Sequence, residues 1–200
     1  MPRHVDHDTR RRHVAAIAAD VVAARGMEAL TIRHVADAAG YSTTIVSHYF
    51  RDKKDLVLAT YQVAADRSLA RFDKVADGEG TLRRALEAVL PLDPDRRRNW
   101  TLMVAFWGSA ATDPDLATEQ RTRIRQLHSR IAQQLDEQDR AAGRTTTSDQ
   151  RAVEADRLVT AVLGIGLQAV FDPSTWTANR QRDALARALE QETATLAFYP

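Results

Sequence analysis

Apolar side chains in this 200-residue chain recur every three or four positions and never in sustained alternation. A spacing of three to four is the signature of helices that bury one stripe, and alternation is the signature of half-buried strands. The chain is therefore expected to be all-α. Ala, Leu, Arg, Glu and Gln, the good helix formers, dominate the periodic stretches. The six prolines fall at positions 2, 91, 94, 114, 173 and 200, each where the periodicity itself breaks.

This reading divides the chain into about nine helices. The first spans about Thr9 to Arg25, with Val14, Ile17, Ala18, Val21 and Val22 as its buried stripe, Asp8 as its N-cap and Gly26 as an αL terminator. The second runs from Thr31 to Gly40. A third, very short helix is capped by Ser42 and holds Ile45, Val46 and Tyr49 inward. Asp52 caps a fourth, with Asp55 three residues on, which reaches about Ala76. Asp77-Gly78-Glu79-Gly80 is a breaker, and Thr81–Leu90 is a short helix. Pro91–Arg98 reads as a charged loop and Asn99–Thr112 as an apolar helix. Asp113-Pro114 restarts a long helix with a cap and an N1 proline. Two more helices follow a polar loop at 143–148, from about Asp149 to Phe171 and from about Thr177 to Leu196. The first three or four helices form a compact head, residues 1–54, and residues 55–200 form a larger helical bundle.

Composition excludes several function classes. An apolar fraction of 44% with 28% charged residues is that of an ordinary globular chain. No apolar run reaches the ~18–20 residues of a membrane span. The first residues, MPRHVDHDTRRR, lack the apolar stretch of a secretory signal, so a cytoplasmic protein without membrane partners is expected. The absence of cysteine rules out disulfides, thiolate zinc sites and a Cys nucleophile. Neither Glu-x-x-His, His-Glu-x-x-His, Gly-x-Ser-x-Gly nor a Gly-rich phosphate loop occurs. A non-enzyme without cofactor or metal is expected, and a helical-bundle enzyme is the remote alternative.

Charge is distributed unevenly. Residues 1–54 carry nine Lys/Arg against six Asp/Glu and five of the six histidines, whereas the remaining residues carry nineteen against twenty-one. A basic head on a slightly acidic body suits a nucleic-acid-binding module. Within that head two short helices meet at Ala39-Gly40-Tyr41-Ser42, which describes a helix-turn-helix. The major groove of B-DNA admits one α-helix, and Thr43, Thr44, Ser47 and His48 provide donors and acceptors on the outer side of the third helix. Ser42 and the hydroxyls near the helix start suit phosphates, Thr44 can set its methyl against a thymine methyl, and Lys53 is a candidate phosphate clamp. Arg33 can reach a base edge or a phosphate, and Arg10, Arg11 and Arg12 can reach the backbone or the minor groove. The same pattern also occurs in helical bundles that bind no DNA, where Ser and Thr serve only as caps.

The stretch TIRHVADAAGYSTTIVSHYFRDKKDL resembles the DNA-binding domain of TetR-family transcriptional regulators. The resemblance rests on Ala39-Gly40, the Tyr49-Phe50 pair and Asp52-Lys53. Most members carry Gly and Tyr where this chain has Thr44 and Ser47. The run Ser-Thr-x-Ile-x-Ser-His-Tyr-Phe-Arg-Asp-Lys, with WTLMVAFW at 100–107 and the final helices around Leu163 and Asp172-Pro173, is similar to the BetI-like branch, named for a repressor of choline-to-betaine genes. The resemblance implies a helix-turn-helix head and repression of an inverted-repeat operator relieved by a small-molecule effector; the residues expected to contact DNA, read from the pattern of the head itself, are Arg33, Ser42, Thr43, Thr44, Ser47, His48, Tyr49 and Lys53. It also implies a homodimer paired through the last two helices. The sequence agrees through Val159, Val162, Leu163, Gly166, Leu167 and Val170 in one helix, and Ala184, Leu185, Ala188, Leu189 and Leu196 in the other. Phe72, Trp100, Met103 and Trp107 are candidate walls of an effector cavity, although Trp and Met at helical spacing also suit plain core; Phe106 lies off their face. An architectural or division-linked DNA-binding protein without a small effector is the alternative.

Overall fold

A computed structural model describes residues 3–78 and 80–190. Among these residues the architecture is all-α, as expected. The elements are α1 (Arg3–Arg25), a single 3-10 turn (Met27–Ala29), α2 (Ile32–Ala39), α3 (Thr43–Tyr49), α4 (Lys53–Ala76), α5 (Leu82–Val89), α6 (Pro94–Ala110), α7 (Pro114–Ala141), α8 (Ser148–Phe171) and α9 (Ala178–Glu190). None of these helices is long and apolar enough to cross a membrane.

Local chemistry sets most of the boundaries. Thr31 accepts a hydrogen bond from the His34 N–H at the start of α2, and Ser42 accepts one from the Ile45 N–H at the start of α3. The Asp55 N–H donates to Asp52 at 2.8 Å ahead of α4. The Asp115 and Leu116 N–H groups donate to Asp113 at 3.0 and 3.3 Å, with Pro114 at N1 of α7. Thr147 and Gln150 form a reciprocal capping box for α8. Gly40 closes α2 in the left-handed conformation, φ 67° and ψ 26°, which a residue with a Cβ enters at a cost of about 1–2 kcal/mol.

Three boundaries differ from the sequence expectation. Asp8 lies inside α1, which begins at Arg3; the polar N-terminal residues continue the helix. Gly26 follows α1 with φ 81° but ψ 172°, so it is no αL cap. The charged segment at 94–98 is not loop but the first turn of α6: Pro94 takes N1, and Asp93 accepts from the Arg96 N–H at 2.8 Å and from its guanidinium at 2.7 Å. Asp-Pro therefore starts a helix at 93–94 for the same reason as at 113–114. Leu196 lies outside the described residues.

Packing divides the chain into two units. The first comprises residues through Arg67 with Arg98–Ala117, and the second Ser68–Arg97 with the residues from Thr118 onward. In the first unit α1 packs on α2, and both meet α3. Its buried side chains include Val14, Val22, Leu30, Val35, Val46 and Phe50. Tyr61 of α4 stacks on Phe106 of α6 with centroids 3.7 Å apart, and the Asn99 side chain donates to the Ala64 carbonyl at 3.0 Å. Phe106 is fully buried against Tyr61. In the second unit α9 packs on α8 and α5. Arg130 forms a two-bond ion pair with Asp73, at 2.6 and 3.0 Å.

Candidate nucleic-acid interface

The third helix, TTIVSHY, is seated through one end of its apolar arc. Val46 is fully buried, Tyr49 is half-buried and Ile45 is 44% exposed. The expectation that Ile45 packs inward is overturned: α1 and α2 close on the Val46 side of the helix and leave the adjoining side to solvent. Thr43, Thr44, Ser47 and His48 are all exposed, as is Arg33 on the first turn of α2. Ser42 is exposed too, with its Oγ engaged in the cap.

Arg11 accounts for the anchoring of this helix. Its Nε donates to the Tyr49 carbonyl at 3.2 Å, satisfying a carbonyl of the last turn of α3. Its Nη2 donates to Asp55 of α4 at 2.7 Å, and its guanidinium lies 5.2 Å from the Phe50 ring centroid. Asp55 also accepts from the Arg51 N–H at 3.2 Å. One α1 side chain thus ties the end of α3 to the start of α4, and Arg11 points inward rather than toward a DNA backbone. His7, one turn before Arg11, places its ring 5.6 Å from His48 and 5.1 Å from Tyr49. Sequence reasoning assigned no role to His7; its i, i+4 relation to Arg11 puts both on one face of α1 and is the signal that finds it.

Two adjacent lysines have different surroundings. Lys53, the first residue of α4, is exposed. Lys54 donates to Asp113 and Asp115, both at 2.8 Å, and so joins the starts of α4 and α7 within the first unit. The hydrogen bond from Lys54 holds the Asp113 carboxyl below its ordinary value, and the same bond raises the lysine above its own. A groove of about 560 Å³ along α1 and α2 is lined by Ile17, Val21, Asp20 and Asp37, among others. Arg25 and His34 line it as well, and Asp20 is paired with Arg67 at 2.8 Å, so its charge is mixed.

Of the effector-wall candidates, Phe72 is buried in the second unit. Trp100 and Met103 are buried in the first, and Trp107 there is half-buried. Trp100 and Trp107 meet edge to face, with centroids 5.8 Å apart and planes at 81°. The Trp107 indole N–H is shielded from solvent and has no acceptor among the described residues.

A short helix seated by an α1 arginine, with hydroxyls and an imidazole facing outward after a glycine corner, has the arrangement of the second helix of a helix-turn-helix. Residues 16–60 match the model of the tetR family of bacterial regulatory proteins, and residues 78–194 match that of the BetI-type transcriptional repressor C-terminal domain. The chain belongs to the TetR family, with a BetI-type C-terminal domain. It is 30% identical over 180 residues to the transcriptional regulator BetI of Escherichia coli O45:K1, covering 86% of this chain and 83% of that one. It is 26% identical over 195 residues to the regulator PksA of Bacillus subtilis, covering 95% and 93%. A transcriptional regulator from Rhodococcus sp. Rha1 superposes with a TM-score of 0.75 at 30% identity, over 90% of this chain and 94% of that one. A Saccharomonospora viridis regulator, solved in complex with choline, shares the fold with a TM-score of 0.73 at 20% identity, over 92% and 96%.

Proposed function

We propose that this chain is a cytoplasmic homodimeric repressor that occupies an inverted-repeat operator and leaves it when a small molecule binds its C-terminal domain. The division of labour falls near residue 54: residues 1–54 engage DNA, and residues 55–200 hold the effector and the dimer contact. The observation that carries the reading is the exposed set Thr43, Thr44, Ser47 and His48 on α3, beside exposed Arg33 and Lys53, in a chain of this family. Hydroxyls and lysine suit phosphates and fix the register of the helix, whereas Thr44 and His48, farthest round α3 from Val46, meet base edges. Tyr49 acts through its contact with His48.

Support for the dimer comes from the outer face of α8. Val159, Val162 and Gly166, which the sequence suggests as part of an open apolar surface, are buried within the chain. The exposed stripe is instead Val153, Thr160, Gly164, Leu167 and Phe171, with Phe171 71% exposed. With Arg157 these positions recur at alternating steps of four and three, the spacing of a helix-pairing seam. A Cβ at Gly164 would meet nothing within 4 Å, so the glycine leaves open space for a partner backbone. Two-fold pairing presents two copies of α3 and makes the operator an inverted repeat.

Trp100, Met103 and Trp107 are the effector wall in this reading. The two indoles meet edge to face, and aromatic rings are the groups that bind a small cation such as the choline held by the S. viridis regulator. Phe72, the remaining candidate, lies in the second unit. The test uses duplexes selected from a random pool by the full chain, followed by fluorescence anisotropy of the bound operator. An inverted repeat should emerge, and choline or another small quaternary ammonium compound should release it while raising the protein's melting temperature. Stabilisation by DNA alone across a metabolite screen would overturn effector control.

A further inference from the structure

The helix TTIVSHY contains no Arg, Lys, Asn, Gln, Asp or Glu. It therefore lacks every side chain that makes a bidentate or charged pairing with a base edge. Its hydroxyls and imidazole can each donate or accept, and so separate bases weakly by polarity alone. What remains is shape and apolar contact. In the major groove the one strongly apolar feature is the C5-methyl group of thymine.

Five large hydrophobic side chains are exposed among the described residues. Val153, Leu167 and Phe171 lie on α8, and Tyr41 and Ile45 lie at the helix corner and on α3. Ile45 sits about 100° round the helix from buried Val46 and about 100° from Thr44. It is thus the apolar flank of the face whose centre is Thr44 and His48. A β-branched residue that leaves 44% of its surface in solvent is a poor choice for a seven-residue helix on propensity grounds. Its exposure acquires a purpose when the helix enters the groove.

We propose that Ile45 is a specificity-determining residue that packs on a thymine C5-methyl group, discriminating thymine from cytosine at one base pair of each half-site. The proposal rests on the reading that α3 occupies the major groove. It differs from a phosphate contact in adding no salt dependence.

The test replaces each thymine of the selected operator by deoxyuridine, one symmetric pair at a time, which deletes only the methyl group. The wild-type protein should lose about ten- to twentyfold in affinity at one such pair, on the scale of one buried methyl in each of two half-sites. Ile45→Ala should bind the unmodified operator more weakly by a similar factor, with an unchanged salt slope, and should be indifferent to deoxyuridine at that pair. Ile45→Val should retain part of the sensitivity. Because the substituted DNA is read by the wild-type chain, the result does not depend on how any variant folds. Indifference of the wild type to every deoxyuridine, a selected half-site without thymine, or full sensitivity in Ile45→Ala would each overturn the assignment to Ile45 while leaving operator binding intact. Recovery of no preferred duplex would overturn both the groove reading and this one.

Discussion

The outer faces of α3 and α8 both leave large apolar side chains in water, in different company. On α3, seven residues long, Ile45 stands among Thr43, Thr44, Ser47 and His48. On α8, 24 residues long, Val153, Leu167 and Phe171 stand in a seam with Thr160 and Gly164. The first face mixes one apolar group with groups that exchange hydrogen bonds with water or DNA at little loss. The second concentrates apolar area at regular intervals, with small residues that admit another helix. A surface meant for DNA must stay soluble when unoccupied and make directional contacts when occupied; a surface meant for a second copy gains most from being dry. Exposure alone thus says little; it is the neighbours of an exposed side chain that separate the two proposed partners.

The largest effect should come from charging the α8 seam. Leu167→Glu with Phe171→Asp is expected to raise the dimer dissociation constant by roughly 10²–10³-fold, read by light scattering, while leaving the melting of the head intact. A dimer that persists in that variant would break the contrast between the two faces. Next is the seating of α3. Arg11→Ala removes the bonds to the Tyr49 carbonyl and Asp55 and should destabilise the chain by about 1–3 kcal/mol, seen in denaturant unfolding. Arg11→Lys should recover little, because an ammonium cannot span both acceptors.

Thr44→Ala tests the centre of the DNA face. It is expected to shift sequence preference at one base pair by about 1–3 kcal/mol, measured by competition among operator variants, and an unchanged preference would remove Thr44 from the readout. Lys53→Ala should weaken specific and non-specific binding alike and lower the salt slope by about one. The smallest effect concerns Lys54. Asp113 is held below its ordinary 3.8, so the contribution of its pairing is complete above that value and lost only as pH falls through the lowered pKa. Lys54 is held above its ordinary 10.5, and its contribution is lost only as pH rises through the raised value. Between these limits Lys54→Met should differ from wild type by a constant offset in stability, the two curves converging at both the acid and the alkaline extreme.

Much of the fold was legible because helix ends are local events. Asp113-Pro114, Thr31 and Ser42 cap their helices through atoms three residues away or fewer, and Gly40 supplies a backbone angle that its own lack of a Cβ permits. Asp93-Pro94 carried the same signal and was obscured by the arginines that follow. The candidate site was legible in part: the glycine corner and the hydroxyl-rich face mark the helix proposed to read the groove, whereas Arg11, His7 and Lys54 act across 38 or more residues of separation, beyond the reach of any periodicity.

The sequence by itself determined that this chain is helical, where most of its helices begin and end, and which segment carries the resemblance to a DNA-binding family. The tertiary structure alone decided which apolar residues face inward. Ile45, Tyr49 and Val46 span an arc of about 100° on α3, and all three suit a core. Only the approach of α1 and α2 selects Val46 for burial and leaves Ile45 in water. On α6 the packing of Tyr61 draws Phe106 inward, and on α8 the contact with α9 accompanies burial of Leu158, Val162 and Ile165 and exposure of Gly164, Leu167 and Phe171. The physical reason is common to all three helices. Hydrophobicity is a property of a residue and can be read from the chain, but burial is a property of the surface that another element brings against it.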